Sequence, residues 1–396
     1  LADFPMAEPA HIERTLNAAE AAFPIWSGMS LLDRSAILHK AAAELRKDAE
    51  TAARHMTLEL GKPLAESRLE IENCAALHLF HAALAVGCPV VVKPAEETPM
   101  CFQAVAKALE KAGLPRGTLN VLIGDPGRIS AALIASPVIR KIAFTGSTRV
   151  GKILGAQAGA EAKPCVLELG GHAPVVVFDD ADLDRALDLS VATKARNAGQ
   201  VCISPTRFLV QDGICDAFAT GFAKKFSILT VGDGMEPDTQ MGPLMSPARI
   251  EAVDALVQDA IAQGARVLTG GMRLNRPGNF YAPTVLADVP PEARIMQEEP
   301  FGPVAIVNRF ADFDDAVSKA NSTDFALGAY AFTGSQDRAD RISAALDAGM
   351  VGINGFGLVF LDSSLGGRRQ SGYGREGGIE GLESFLTNKF VAQAEI

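Results

Sequence analysis

From about residue 87 onward, short β-branched and aliphatic runs alternate with stretches long enough for a helix, and no other feature of the chain narrows its fold as far. Residues 89–93, 118–123, 141–144, 165–169 and 174–178 read as strands. Between the first four lie runs such as 104–111 and 149–158, long enough for crossover helices. Parallel strands need such crossovers, so the alternation predicts a parallel sheet wound in α/β fashion, an architecture suited to nucleotides. The residues before it read as helices. Ser30 followed by Asp33 resembles a capping box, Ile37, Ala41 and Leu45 recur every fourth position, and Gly61 with Pro63 beyond it marks a stop.

A long helix is predicted over 182–198, ended by Gly199, and the alternation then continues to about Gly352. This second half has its own apolar periodicity, including Ile250, Val253, Leu256 and Val257, so it can hold a second core. The length agrees, because 396 residues exceed what one core usually serves. Residues 366–378 are glycine-rich, and 385–391 form a strand-like tail.

Charge and cysteine usage remove several function classes. With a net charge of −10 and no run of Lys or Arg, nothing draws nucleic acid or an anionic membrane. Apolar stretches such as 82–92 fall short of the roughly 20 residues that span a bilayer. No secretory signal is legible, and Cys74, Cys88, Cys101, Cys165, Cys202 and Cys215 form no C-x-x-C pair, so free thiols in the cytoplasm are expected. The histidines offer no H-E-x-x-H, and no metal site is expected.

Four groups could carry chemistry. Phe144-Thr145-Gly146-Ser147, after a strand and opening a helix, could present backbone N–H groups to a phosphate or be an ordinary strand-to-helix turn. Lys93 and Glu96, at the carboxyl end of a strand, could bind ribose hydroxyls or pair with each other at the surface. Cys202 differs from the other cysteines in following a helix-ending Gly in a polar loop, where a thiolate could be reached. Glu168 lies in an apolar strand before Gly170-Gly171, so it is either a paired core carboxylate or one whose pKa is raised into general-base range.

Together with Glu298-Glu299-Pro300-Phe301-Gly302-Pro303, these groups make the sequence recognisable. Val91 to Glu96, Phe144 to Ser147, Glu168 to Gly171, Gly199 to Cys202, Glu298 to Pro303 and Ser371 to Glu376 stand in the order and approximate spacing of the aldehyde dehydrogenase superfamily, which the chain resembles over nearly its full length. The resemblance implies roles. Cys202 would be the nucleophile, its backbone N–H one oxyanion donor, and Glu168 the base that activates water against a thioester. Lys93 and Glu96 would hold the adenosine ribose, Gly146 and Ser147 the pyrophosphate, and Glu299 with Phe301 the nicotinamide riboside. A carboxylate at position 96 accepts from a free 2′-hydroxyl and repels a 2′-phosphate, so NAD is preferred, with NADP the alternative. Arg196 matches a position where succinate-semialdehyde-type members place a carboxylate-binding Arg; as a residue it serves equally to brace its helix. Members that hand the thioester to coenzyme A are disfavoured by Glu168.

One departure stands out. Between the helix that would end near His81 and the strand at Val90, family members carry a few tens of further residues, with a Pro-Trp-Asn motif whose Asn is the second oxyanion donor. None of it is present, and the expectation is that the parent protein has it. A chain truly without it would be a catalytically impaired relative that binds nucleotide or serves a structural role.

The expected architecture is a Rossmann-like NAD-binding domain over 1–172 with N-terminal helices and an α/β catalytic domain over 173–365 carrying the nucleophile. Residues 366–396 would return to the first domain and end in an oligomerisation strand, with a homodimer or homotetramer implied by the resemblance. The partner is a small aldehyde.

Overall fold

The computed structural model describes residues 3–77, 81–360 and 362–394. It opens with α1 (Pro9–Ser27), α2 (Leu31–Lys47), α3 (Ala49–Leu60) and α4 (Leu64–Leu77). Ser30 caps α2 by accepting a hydrogen bond from the Asp33 amide. Gly61 ends α3 at φ 83°, a left-handed cap that costs glycine nothing. Ala41 and Leu45 are buried with Trp26, Met56 and Ile71 in a core of their own.

Next come α5 (His81–Ala85), β1 (Val90–Val92), α6 (Pro99–Ala112), β2 (Leu119–Val121), α7 (Pro126–Ala135), β3 (Ile142–Thr145), α8 (Thr148–Ala160) and β4 (Cys165–Glu168). β1, β2 and β4 fall within their predicted runs and β3 is shifted one residue past its own, and both pairs, β1 with β2 and β3 with β4, are parallel. The single sheet expected here is nevertheless two pieces. Among the described residues β1 bonds only to β2, and β3 only to β4. Val90 to Val92 are accordingly half-buried, and β3 alternates half-buried and exposed residues.

The rest comprises β5 (Ala173–Val177), α9 (Leu183–Ala195), β6 (Pro205–Gln211), α10 (Asp212–Ser227), α11 (Pro247–Ala262), β7 (Arg266–Thr269), β8 (Thr284–Ala287) and β9 (Val304–Phe310). It continues through α12 (Phe313–Ala320), β10 (Phe325–Ala326), β11 (Gly328–Phe332), α13 (Gln336–Ala345), β12 (Met350–Ile353), β13 (Arg368–Arg369), β14 (Gly372–Tyr373) and α14 (Gly378–Glu383). Seven strands form one sheet in the order β12-β11-β5-β6-β9-β8-β7, parallel except for β7. Its period-two faces are both covered. Val175, Val177, Phe208 and Val210 pack with Phe218 and Phe222 of α10, while Val176 and Leu209 pack with Ala316 of α12 and Ile342 of α13.

Between Glu168 and Ala173 the chain leaves one sheet for the other, and it returns when β14 pairs antiparallel with β4. The strand predicted over 385–391 does not form. Residues 385–394 have no regular structure, and none of the described strands pairs with them; a lone strand has no ladder to make. Only the start of the tail is anchored, by Lys141, whose ammonium donates to the Ser384 carbonyl and lies 4.2 Å from the Phe385 ring centre. Phe390 is 91% exposed. No described helix is long and apolar enough to cross a membrane.

Candidate active site

Glu168 is the last residue of β4, in register with Thr145 of β3 on one side and Gly372 of β14 on the other. Its carbonyl accepts a hydrogen bond from the Gly146 amide at 3.0 Å, so the turn that opens α8 is fixed against the same strand end. Gly146 and Ser147 are exposed there, and the Ser147 hydroxyl caps α8 by accepting from the Val150 amide. The leading amides of such a turn have no carbonyl one turn back to meet. The Glu168 side chain is buried, and its Oε1 has no hydrogen-bond partner. Burial, then the neighbouring Glu376 carboxylate, push its pKa up to about 8 against the opposing Arg375 guanidinium.

The helix before Cys202 stops earlier than its sequence predicts. α9 ends at Ala195, and Asn197, Ala198 and Gly199 are all left-handed, with φ of 47°, 52° and 73°. The cause is tertiary: a Glu66 oxygen, reaching from α4, accepts from the Asn197 amide at 2.8 Å and takes the donor that a further helical turn would use. The chain then doubles back and presents Cys202, half-buried, beside Gly171. A Cβ on Gly171 would collide with the Cys202 carbonyl, so glycine is what permits the approach. Burial, then Glu299 and Glu168, push the Cys202 thiol up to about 11. At neutral pH the thiol is therefore protonated, within electrostatic reach of Glu299 and Glu168.

Glu299 comes from the loop before β9. Its Oε1 accepts from the Gly171 amide at 2.9 Å. Burial pushes its pKa up to about 7, opposed by that hydrogen bond and by Arg249 and Lys194. Phe301, two residues on, is half-buried at φ 43°, a strained setting for a bulky residue.

Glu168, Cys202, Gly146 and Glu299 are thus brought together, whereas Lys93 and Glu96 stand at the end of β1 and pair with each other at 2.8 Å. No described hydrogen bond or ion pair joins them to that group. Arg196 is exposed where α9 ends and makes no ion pair among the described residues; its charge reaches Glu66 and Tyr330. The Tyr330 hydroxyl donates to the Ile203 carbonyl at 2.7 Å, next to Cys202. Among the described residues no group of three His, Cys, Asp or Glu side chains is arranged to hold a metal.

Sequence reasoning passed over Glu66, Arg249, Glu376 and Lys194. Lys194 left a signal, since it falls at helical spacing from Leu187 and Val191, on the apolar stripe of α9. Glu376 stood in a quoted motif without a role, and Glu66 and Arg249 had none, because their partners are distant in the chain.

The sequence pattern described as the Aldehyde dehydrogenase family matches in two pieces, residues 1–82 and 75–391, which meet next to the position of the missing stretch. The NADP(+) succinate-semialdehyde dehydrogenase of Escherichia coli is 37% identical over 426 residues, covering 95% of this chain and 88% of the relative. That aligned span exceeds the chain's own 396 residues, so the relative carries residues with no counterpart here. A solved succinate-semialdehyde dehydrogenase from Burkholderia pseudomallei superposes with a TM-score of 0.95 at 38% identity, covering 97% of this chain and 90% of that one. A betaine aldehyde dehydrogenase from Staphylococcus aureus, solved in complex with NAD+, gives 0.94 at 30% identity, covering 98% and 90%.

Proposed function

The chain belongs to the aldehyde dehydrogenase family, and from that premise we propose that it oxidises a small aldehyde to the carboxylic acid with a nicotinamide cofactor, Cys202 serving as nucleophile and Glu168 as base. The observation that carries the reading is the meeting of a reachable thiol with a buried carboxylate that has an unpartnered oxygen, at the carboxyl end of a parallel strand.

The donor set fits the cofactor. An ammonium and a carboxylate at the end of β1 suit ribose hydroxyls, the exposed amides opening α8 suit a pyrophosphate, and Glu299 suits a second ribose. When bound, the nicotinamide supplies the hydride acceptor. Cys202, deprotonated by a neighbouring carboxylate, attacks the aldehyde carbon, and its own backbone N–H faces the developing oxyanion. Loss of the aldehyde hydrogen as hydride leaves a thioester on Sγ. Glu168 takes a proton from water, the resulting hydroxide adds to the thioester, and the C–S bond breaks to release the acid and the thiolate.

Glu96 is exposed, and its carboxylate would repel a 2′-phosphate, which supports NAD as the preferred cofactor although the Escherichia coli relative is named for NADP(+). Arg196, without an ion pair of its own, supports a substrate with a carboxylate at its far end, such as succinate semialdehyde. The division into a cofactor-binding unit over 1–172, a catalytic unit over 173–365 and a return over 366–396 is supported by the change of sheet after Glu168 and by the pairing of β14 with β4. We assign the exposed tail to a neighbouring subunit of a homodimer or homotetramer. Six cysteines with no C-x-x-C pair among them suit the cytoplasm.

The test is reduced-cofactor formation with NAD and NADP over succinate semialdehyde and neutral aliphatic and aromatic aldehydes. Turnover is expected with NAD and to vanish in Cys202→Ala; undiminished turnover in that variant would reject the mechanism. Arg196→Ala should raise KM about tenfold or more for the acidic aldehyde alone. An equal change for neutral aldehydes would make Arg196 a helix brace.

A further inference from the structure

Lys194 is 0% exposed in the last turn of α9, a setting that lysine almost never occupies without a purpose. Its ammonium has three protons to place, and the hydrogen bond it makes is to the Ser204 hydroxyl at 3.3 Å. It also lies 3.1 Å from where a Cβ on Gly199 would stand, so it sits inside the 199–204 loop that presents Cys202. Burial pulls its pKa down to about 7, opposed by Glu299, and Lys194 in turn lowers that of Glu299, although no hydrogen bond or ion pair joins the two among the described residues. His172, fully buried and neutral, feels Lys194 from the strand side, and Arg249 faces Glu299 from α11. The two loops meet here. A Cβ on Gly199 would collide with the Gly302 carbonyl, and Glu299 holds the Gly171 amide against which the Cys202 carbonyl rests.

We propose that Lys194 is a positioning residue, packed where the loop that carries the nucleophile meets the loop that carries Glu299, so that one buried lysine sets the aim of both. The inference rests on the roles proposed above for Glu299 and Cys202. It adds a residue that touches neither substrate nor cofactor.

The test reads binding and thiol chemistry rather than turnover: the NAD+ dissociation constant from quenching of protein fluorescence, and the rate of Cys202 alkylation by iodoacetamide. Lys194→Met removes the charge at similar volume. It should weaken NAD+ binding about tenfold and change the alkylation rate several-fold. In a Glu299→Gln background it should change binding by less than about twofold, because the partner it aims is already neutral. Unchanged binding and alkylation in Lys194→Met, or losses that multiply with those of Glu299→Gln, would overturn the proposal and show a lysine that merely packs. If Lys194→Met does not fold, Ser204→Ala carries the same test through the loop end of the link, with altered alkylation expected and unaltered alkylation fatal. The wild-type protein separates the two levels: failure to bind either nicotinamide cofactor would sink the proposed function itself, whereas normal wild-type binding with an inert Lys194 sinks only the link.

Discussion

Glu168 illustrates how burial and like charge set chemistry at a single side chain. Burial and then Glu376 push the pKa of its carboxyl up to about 8, so at neutral pH only a minor fraction is ionised and able to act as a base. Turnover limited by thioester hydrolysis should therefore rise with pH through about 8 and flatten above it. Glu376→Gln removes the like charge and should move that limb to lower pH; a limb that stays in place would exclude Glu376 as its cause. The stability sign runs the other way. A carboxylate whose folded pKa is raised favours the folded state fully below its unfolded value and loses that contribution as pH climbs through the folded one, so Glu168, near 8, and Glu299, near 7, both weaken the fold between about pH 5 and 8. Glu168→Gln should flatten that decline, read from Tm against pH. Cys202 and Glu168 stood out in the sequence as candidates because each sits in a short motif with chemistry of its own, whereas Glu299 became a candidate only through the family resemblance. Glu376 as the second cause of the shift was not, since the β14 crossing that brings it near Glu168 joins residues two hundred positions apart.

At the scale of elements, the five strands from β1 to β5 announced themselves as short apolar runs, β6 to β14 were legible only as a continued alternation, and where a named helix stopped short a tertiary partner had overridden local preference. Residues 182–198 carry an unbroken helical pattern, yet α9 stops at Ala195 because Glu66 and the 298–303 loop impose a left-handed path on Asn197, Ala198 and Gly199. Such a run is strained in its two non-glycine residues and tolerable at the third only because Gly199 has no side chain to strike Gly302. Gly199→Ala should cost roughly 2–4 kcal/mol of stability and displace Cys202 enough to slow its alkylation at least tenfold. A fully active, fully stable Gly199→Ala would mean that the loop can take another path. The tail over 385–391 is strand-like in pattern, yet no described strand pairs with it.

For the whole molecule, the two sheets differ in how completely their edges are satisfied, and that difference should govern where the protein opens first. Every residue of β5 and all but the last of β6 are buried between two helical layers, with hydrogen-bonded neighbours on both sides. β1 and β3 each have one neighbour among the described residues, three or four residues of pairing, and side chains half-buried at best. The family match breaks between residues 75 and 82, just upstream of β1, and the Escherichia coli relative carries residues with no counterpart here. Backbone amides on an unpaired edge exchange through local opening rather than global unfolding. Hydrogen exchange should therefore label β1 and β3 at least 100-fold faster than β5 and β6, a gap of about 2.7 kcal/mol in opening free energy. Binding NAD+ should slow exchange in β3 and at the start of α8, where the proposed pyrophosphate contacts lie, and leave β6 unchanged. Equal protection of the two sheets would show that the inner edges of β1 and β3 are closed in solution, by a strand from elsewhere in the protein or by a second copy, and an intact mass above 41.6 kDa would identify the first of these.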